Sequence, residues 1–148
     1  MPYNVYTIES LGNGERNHKA IYIETNPIAT SQSVKGNLYH VTGTILKGMA
    51  YDPRSTTDPE LLPEYIQGTK KQIATIAEDD LARFETECCL TVSPPKAQVT
   101  LSGKKVFPQT SLYRCREWIA DVEKVAVEKG IFTPYGNSGA VADGTSLT

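Results

Sequence analysis

The sequence is poor in the residues that build disulfide frameworks and metal centres. Its 148 residues include three cysteines, two histidines and one tryptophan. Three cysteines cannot form a complete set of disulfide pairs, so we expect free thiols and a reducing, cytoplasmic environment. The adjacent Cys88 and Cys89 have no further cysteine or histidine nearby, which favours packing at a helix end over a redox or metal role. No cofactor is therefore expected.

The chain also lacks an excess of charge and any long apolar run. Its net charge is −2 and its pI is about 5.7, so the basic surface of a nucleic-acid-binding protein is not expected. No segment approaches the ~20 apolar residues that span a bilayer, and the first residues, MPYNVYTIES, do not resemble a signal peptide. We expect one domain, with no nucleic-acid partner and no membrane span.

One long amphipathic pattern stands out, from Ser111 to Gly130. Its apolar residues recur at intervals of three and four: Leu112, Cys115, Trp118, Ile119, Val122, Val125 and Ala126. This period predicts a helix with one face in the core. Thr110 or Ser111 is the expected N-cap, and Gly130 is expected to end the helix. Cys115 then lies in the first turn.

A cysteine at the start of a helix has two possible roles. The free N–H groups and the helix dipole favour the thiolate there, and the flanking Arg114 and Arg116 act in the same direction. This setting suits a nucleophile. The alternative is that Cys115 is a small apolar residue of the buried stripe.

The two histidines lie in two predicted strands, at 17–25 and 37–46, joined by a loop at 26–35. Such neighbours are expected to pair as an antiparallel hairpin. Side chains alternate between the two faces of a strand. His18 and His40 therefore lie on the same face of the sheet only if the register pairs even-numbered with even-numbered residues. An odd register would separate them.

The remaining pattern predicts an α+β domain with an antiparallel sheet of about four to six strands and two main helices. Residues 47–69 are expected to be loop-like, with at most a short helix at 60–67. A second helix is expected to begin at Glu78 and end near Cys88, and 133–148 form a weakly ordered tail after a domain at 1–132. The other predicted strands are 3–9, 71–76 and 97–101.

Together, two strand histidines and a helix-start cysteine supply the groups needed for thiol catalysis: a nucleophile, a base and a polar group that orients the base. Two alternatives stay open. The three residues could be ligands of a zinc ion with an open fourth position. The chain could also be a non-catalytic binding or interaction domain that keeps the same fold.

Three short segments carry a resemblance. NHKAIYIE resembles the His-Trp-Ala-x-Tyr strand of the lecithin retinol acyltransferase group, YHVTG its second histidine strand, and YRCREWI its Asn-Cys-Glu-His-Phe helix start. The order His, His, Cys is that of the circularly permuted branch of the NlpC-type, papain-like thiol peptidase superfamily. Small fungal proteins with the same three segments are also similar.

The resemblance implies a permuted papain-like fold in which Cys115 is the nucleophile, His18 the general base and His40 the residue that orients it. It implies a hydrolase or acyltransferase that acts on an amide, ester or thioester of a small-molecule or peptide substrate. Tyr113 and Gln98 are candidate side-chain donors to the oxyanion.

The chain departs from the group's pattern at two positions and in one larger feature. Lys19 replaces an aromatic residue, and Arg114 replaces an asparagine that is common there. Neither change removes a catalytic group. The sequence also has no C-terminal membrane anchor of the kind found in several acyltransferases, which favours a soluble substrate.

Overall fold

A computed structural model describes residues 2–12, 17–30 and 32–135. Its main feature is a six-stranded sheet in the order β6-β3-β2-β1-β7-β8, beside a two-stranded sheet of β4 and β5. Every strand pair is antiparallel. The prediction of an α+β fold built on an antiparallel sheet is confirmed. The strands are β1 Tyr3–Ser10, β2 His18–Glu24, β3 Gly36–Tyr39, β4 Val41–Thr44, β5 Gly48–Tyr51, β6 Arg54–Thr56, β7 Lys71–Ile76 and β8 Phe132–Pro134.

Two helical regions accompany these sheets, besides a single 3-10 turn at Pro59–Leu61. The first runs through a 3-10 turn at Glu78–Asp80, α1 at Leu81–Arg83 and a π-helix at Phe84–Cys89. The second is α2, Cys115–Glu128. None of the helices in the described part of the chain is long and apolar enough to cross a membrane.

The start of α2 corrects the predicted boundary, because the helix begins at Cys115 and not near Ser111. Arg114 is its extended N-cap residue, and the Glu117 carboxylate accepts the Arg114 N–H at 2.6 Å. Upstream, the Gln98 carboxamide accepts a hydrogen bond from the Tyr113 N–H and donates one to the Tyr113 carbonyl. These two backbone groups are therefore not available to an earlier helical turn. The predicted C-terminus is confirmed, since Gly130 has φ of +72°.

The apolar residues form two clusters, one on each face of the main sheet. Alternation along β2 sends Ile21 and Ile23 into the larger cluster, together with the buried face of α2. The even-numbered Ala20 and Tyr22 belong to the smaller cluster on the other face. The buried residues of α2 are Cys115, Trp118, Ile119, Val122 and Ala126, as the helical period predicts. This helix therefore packs against the odd-numbered face of β2.

Four predicted elements differ in detail. The expected strand at 37–46 is split into β3 and β4, which belong to different sheets, with His40 at the break. The loop expected at 47–69 contains β5 and β6, whose three or four residues are too few to show a period. The strand expected at 97–101 forms only one bridge, from Val99 to Lys105. The expected tail begins inside β8, and its positions 136–148 lie outside the described residues.

Candidate active site

The two histidines meet at the start of β2. Tyr22 pairs with Leu38, so the even-numbered residues of β2 and β3 share a face, which is the favourable register. His18 Nε2 lies 2.7 Å from His40 Nδ1, and the ring centroids are 4.8 Å apart. The backbone pairing thus brings two rings that are 22 residues apart into one hydrogen bond.

Burial keeps both imidazoles neutral near pH 7. It lowers the pKa of His40 to about 4, with the neighbouring His18 adding to the shift and Asp52 opposing it. Burial also lowers the pKa of His18 below its ordinary 6.5. Two neutral rings share one proton in the hydrogen bond between them. A charged His18 would donate from Nε2 to the bare Nδ1 of His40.

The far nitrogen of His40 is an unusual feature of the pair. His40 Nε2 is buried and has no hydrogen-bond partner among the described residues. A buried polar nitrogen without a partner costs ~1–3 kcal/mol. The hydrogen bond can form with either imidazole as the donor, depending on the tautomer. In the tautomer in which His18 Nε2 donates to His40 Nδ1, His40 keeps its proton on Nε2 and His18 Nδ1 is free to act as a base.

Cys115 is the first residue of α2 and only 9% exposed. Its thiol is free. It packs within the larger apolar cluster, on the side of β2 away from Ala20, so the sulfur and the imidazoles come from different faces. Within the residues that the structure describes, no hydrogen bond joins Cys115 to either ring.

One cleft nevertheless reaches all three residues. It has a volume of about 490 Å³, and His18, His40 and Cys115 all line it. His18 is the first residue of β2 and pairs with Ser10, the last residue of β1, so the sheet ends here. The lining of the cleft includes Ala20 and Leu38 of the smaller apolar cluster as well as Cys115 of the larger one. The three far-separated residues are therefore brought together around one opening.

Gln98 and Tyr113 do not fit the expected oxyanion role. The Gln98 Nε2 donates to Tyr113 O at 2.6 Å and to Lys96 O at 3.0 Å, while Oε1 accepts the Tyr113 N–H at 2.5 Å. The Tyr113 hydroxyl donates to Asp121 at 2.5 Å. Both side chains line a separate cavity of about 410 Å³. Their polar atoms are already occupied, and they hold the segment that leads into Cys115.

Comparison with known proteins adds a family but no activity. The model of a family of unknown function, DUF6540, matches residues 5–133. The chain belongs to the DUF6540 family. The matched region of this DUF6540 chain contains His18, His40 and Cys115. No curated protein and no solved structure gave a significant match.

Glu9 and Asp52 lie beside the site in this DUF6540 chain, and neither was predicted from the sequence. The Arg116 guanidinium donates to the Glu9 carboxylate at 2.5 Å, which ties the first turn of α2 to β1. Burial raises the pKa of Glu9, but Arg116, Asn17 and Lys19 together outweigh it, so the net shift is downward. Asp52 donates its N–H to the carbonyl of His40 at 2.9 Å. No local pattern marks either contact.

The zinc alternative finds no geometric support in the DUF6540 chain. Across the ranges that the structure describes, no three His, Cys, Asp or Glu side chains lie close enough to hold a metal ion. His18, His40 and Cys115, all within the described ranges, are not grouped closely enough for this role. Their shared cleft and the imidazole pair leave thiol chemistry and simple binding as the two functions to weigh.

Proposed function

We propose that the protein is a cysteine-nucleophile hydrolase or acyltransferase that acts on an amide, ester or thioester. The observation that carries the proposal is the hydrogen bond of 2.7 Å between His18 and His40, in a cleft that Cys115 also lines. A base held by a second polar residue, beside a thiol at a helix start, is the arrangement that nucleophilic thiol catalysis needs. The permuted papain-like architecture implied by the sequence resemblance belongs to the same proposal.

In the first half-reaction, the Cys115 thiol gives its proton to His18 Nδ1 and the sulfur attacks the acyl carbonyl carbon. The bond to the leaving group breaks, and His18 returns the proton to the leaving nitrogen, oxygen or sulfur. The product is a thioester on Cys115. His40 stays neutral and accepts the His18 Nε2–H, which steadies the charged ring.

In the second half-reaction, an acceptor gives its proton to His18 and attacks the thioester. Water as the acceptor makes the protein a hydrolase, whereas an amine or hydroxyl makes it an acyltransferase. Cys115 sulfur leaves and regains its proton from His18. The first N–H groups of α2 have no partner within the helix, so the Cys115 N–H is the proposed oxyanion donor. One such donor lowers the barrier by ~3 kcal/mol in other enzymes.

The proposal requires the sulfur to approach His18 when substrate binds, since the two are not hydrogen-bonded in the free chain. Catalytic contacts are often long in free enzymes and shorten in the substrate complex.

The direct test is to trap the acyl group with p-nitrophenyl acetate. We expect a burst of one p-nitrophenolate per chain and an acetyl group on Cys115, located by mass spectrometry of rapidly quenched samples. Cys115→Ala should abolish the burst, and Cys115→Ser is the matched control that keeps a hydroxyl of similar size. A wild-type chain without burst or adduct would contradict the proposal.

A non-catalytic binding domain is the second candidate, favoured by the burial of Cys115 in the larger apolar cluster. It predicts an inert thiol and a cleft whose ligand affinity does not change in Cys115→Ala. The same acylation experiment separates the two functions, because a binding domain gives no covalent adduct.

A further inference from the structure

Arg114 is an arginine of the cleft for which the described residues supply no carboxylate partner. Three arginines line this cleft. Arg54 forms an ion pair with Asp52 at 2.8 Å, and Arg116 binds Glu9. Among the described residues Arg114 forms no ion pair, and its side chain lies against the backbone N–H of Glu117 at the start of α2. Arg114 directly precedes the proposed nucleophile.

The main chain of Arg114 is fixed by two hydrogen bonds. Its N–H donates to the Glu117 carboxylate at 2.6 Å, and its carbonyl accepts the Trp118 N–H at 3.0 Å. The residue is half-buried as the N-cap of α2. Arg114 therefore lines the cleft from a fixed point beside Cys115.

The carboxylates that line the cleft do not supply the missing partner. Glu117 accepts the backbone N–H of Arg114, and no ion pair joins its carboxylate to the guanidinium. Glu64 also lines the cleft, and it makes no ion pair with Arg114 either. Within the part of the chain that the structure describes, the positive charge of Arg114 is therefore not balanced by a carboxylate of the cleft.

We propose that the cleft takes an acyl substrate with a carboxylate or phosphate group close to the reacting carbonyl, and that Arg114 binds this anion. The inference rests on the proposed function of Cys115. A guanidinium binds either anion through two parallel N–H groups, which fixes the orientation as well as the position. The positive end of α2 acts in the same direction. Ile8, Leu38 and Met49 also line the cleft and add apolar surface to it.

Alkylation of Cys115 by two reagents tests this proposal. Iodoacetate and iodoacetamide have the same leaving group and nearly the same size, but only iodoacetate carries a carboxylate. We expect the rate ratio of iodoacetate to iodoacetamide at Cys115 to be about tenfold lower in Arg114→Gln than in the wild type. Arg114→Lys keeps the positive charge but loses the two parallel N–H groups. Its rate ratio should therefore lie between those of the wild type and Arg114→Gln.

Arg83→Gln is the matched control, because it removes the same charge from α1, where Arg83 pairs with Asp80 and Glu87. Its ratio should stay within about twofold of the wild type, since surface charges at a distance are screened by salt. Mass spectrometry locates the alkylated residue, and unmodified Cys88 and Cys89 show that each variant is folded.

Acetate and inorganic phosphate then separate the two kinds of anion. In the wild type, the ion that the site prefers should slow the iodoacetate reaction at a lower concentration than the other ion does. Neither ion should slow the reaction in Arg114→Gln. A fast Cys115 with the same reagent ratio in wild type and Arg114→Gln would overturn the anion proposal alone. A Cys115 that reacts no faster than glutathione with either reagent would instead remove the proposed function.

Discussion

Gln98 binds the main chain of Tyr113 from both ends of its carboxamide, at 2.5 Å through Oε1 and at 2.6 Å through Nε2. The side chain is only 8% exposed, and the backbone of Gln98 is itself anchored to Ile45 O. This contact holds the strand-like segment two residues before Cys115. The contact between Gln98 and Tyr113 therefore determines where α2 begins and where the Cys115 sulfur lies.

Gln98→Met removes this clamp while keeping the length of the side chain. It leaves the Tyr113 N–H and C=O without their partner, so we expect a loss of ~1–3 kcal/mol in the free energy of unfolding and slower alkylation of Cys115. Gln72→Met is the control, since Gln72 donates to the exposed side chain of Asn4 and the change should cost less than ~1 kcal/mol. Urea unfolding and alkylation rates measure both effects. Unchanged Cys115 reactivity in Gln98→Met would show that the clamp is structural only.

His40→Asn and His40→Gln should differ in acylation of Cys115. The Asn side chain places an oxygen near the position of Nδ1 and can still accept the His18 Nε2–H. The Gln side chain places its polar atoms near Nε2, farther from His18. We expect the burst rate with p-nitrophenyl acetate to fall severalfold in His40→Asn and by about 10²-fold in His40→Gln. Equal rates in both variants would exclude an orienting role of Nδ1.

The stability of the fold should fall as the pH drops below 6.5. The pKa of His40 is 6.5 in a model peptide and about 4 in the fold, because burial disfavours the charged ring. The unfolded chain therefore takes up this proton first, so the stabilisation is complete above pH 6.5 and is lost as pH falls towards 4. The full loss is roughly 3 kcal/mol for this one group.

Urea unfolding of the wild type and His40→Asn between pH 7 and pH 4 isolates the histidine from the carboxylates that titrate in the same range. The stability of the wild type should fall more steeply than that of the variant. Parallel curves would mean that His40 titrates normally in the fold.

Cys88 and Cys89 should be inert in the folded protein. Burial raises the pKa of Cys88 above its ordinary value and the pKa of Cys89 to about 12, so both stay protonated near pH 7. A thiol reacts through its thiolate. We expect iodoacetamide at pH 7.5 to leave both unmodified until urea unfolds the chain. Rapid labelling of either one without denaturant would show that this end of the π-helix opens readily.

The sequence predicts those parts of the fold that have a local period. The helical period predicts α2 and its buried face, which includes Cys115, and alternation predicts β2 with His18 in it. The start of α2 could not be predicted from the local sequence, because it depends on the hydrogen bonds between Gln98 and Tyr113, which are 15 positions apart. The same holds for Arg116 and Glu9, which are 107 positions apart.

The sequence leaves two registers possible for the histidine strands, and the strand pairing in the structure distinguishes them. Nothing in the residues themselves distinguishes an even register from an odd one, because a shift of one residue changes which face each side chain takes. The packing of α2 on the odd-numbered face of β2 was not foreseen either. It is the reason why Cys115 reaches the cleft from the side opposite to His18.

The rate at which iodoacetamide alkylates Cys115 at pH 7 tests the central claim most directly. If His18 activates the thiol, Cys115 should react at least tenfold faster than glutathione, and His18→Gln should remove most of this advantage without unfolding the protein. A wild-type rate no faster than that of glutathione, or an equal rate in His18→Gln, would contradict the account.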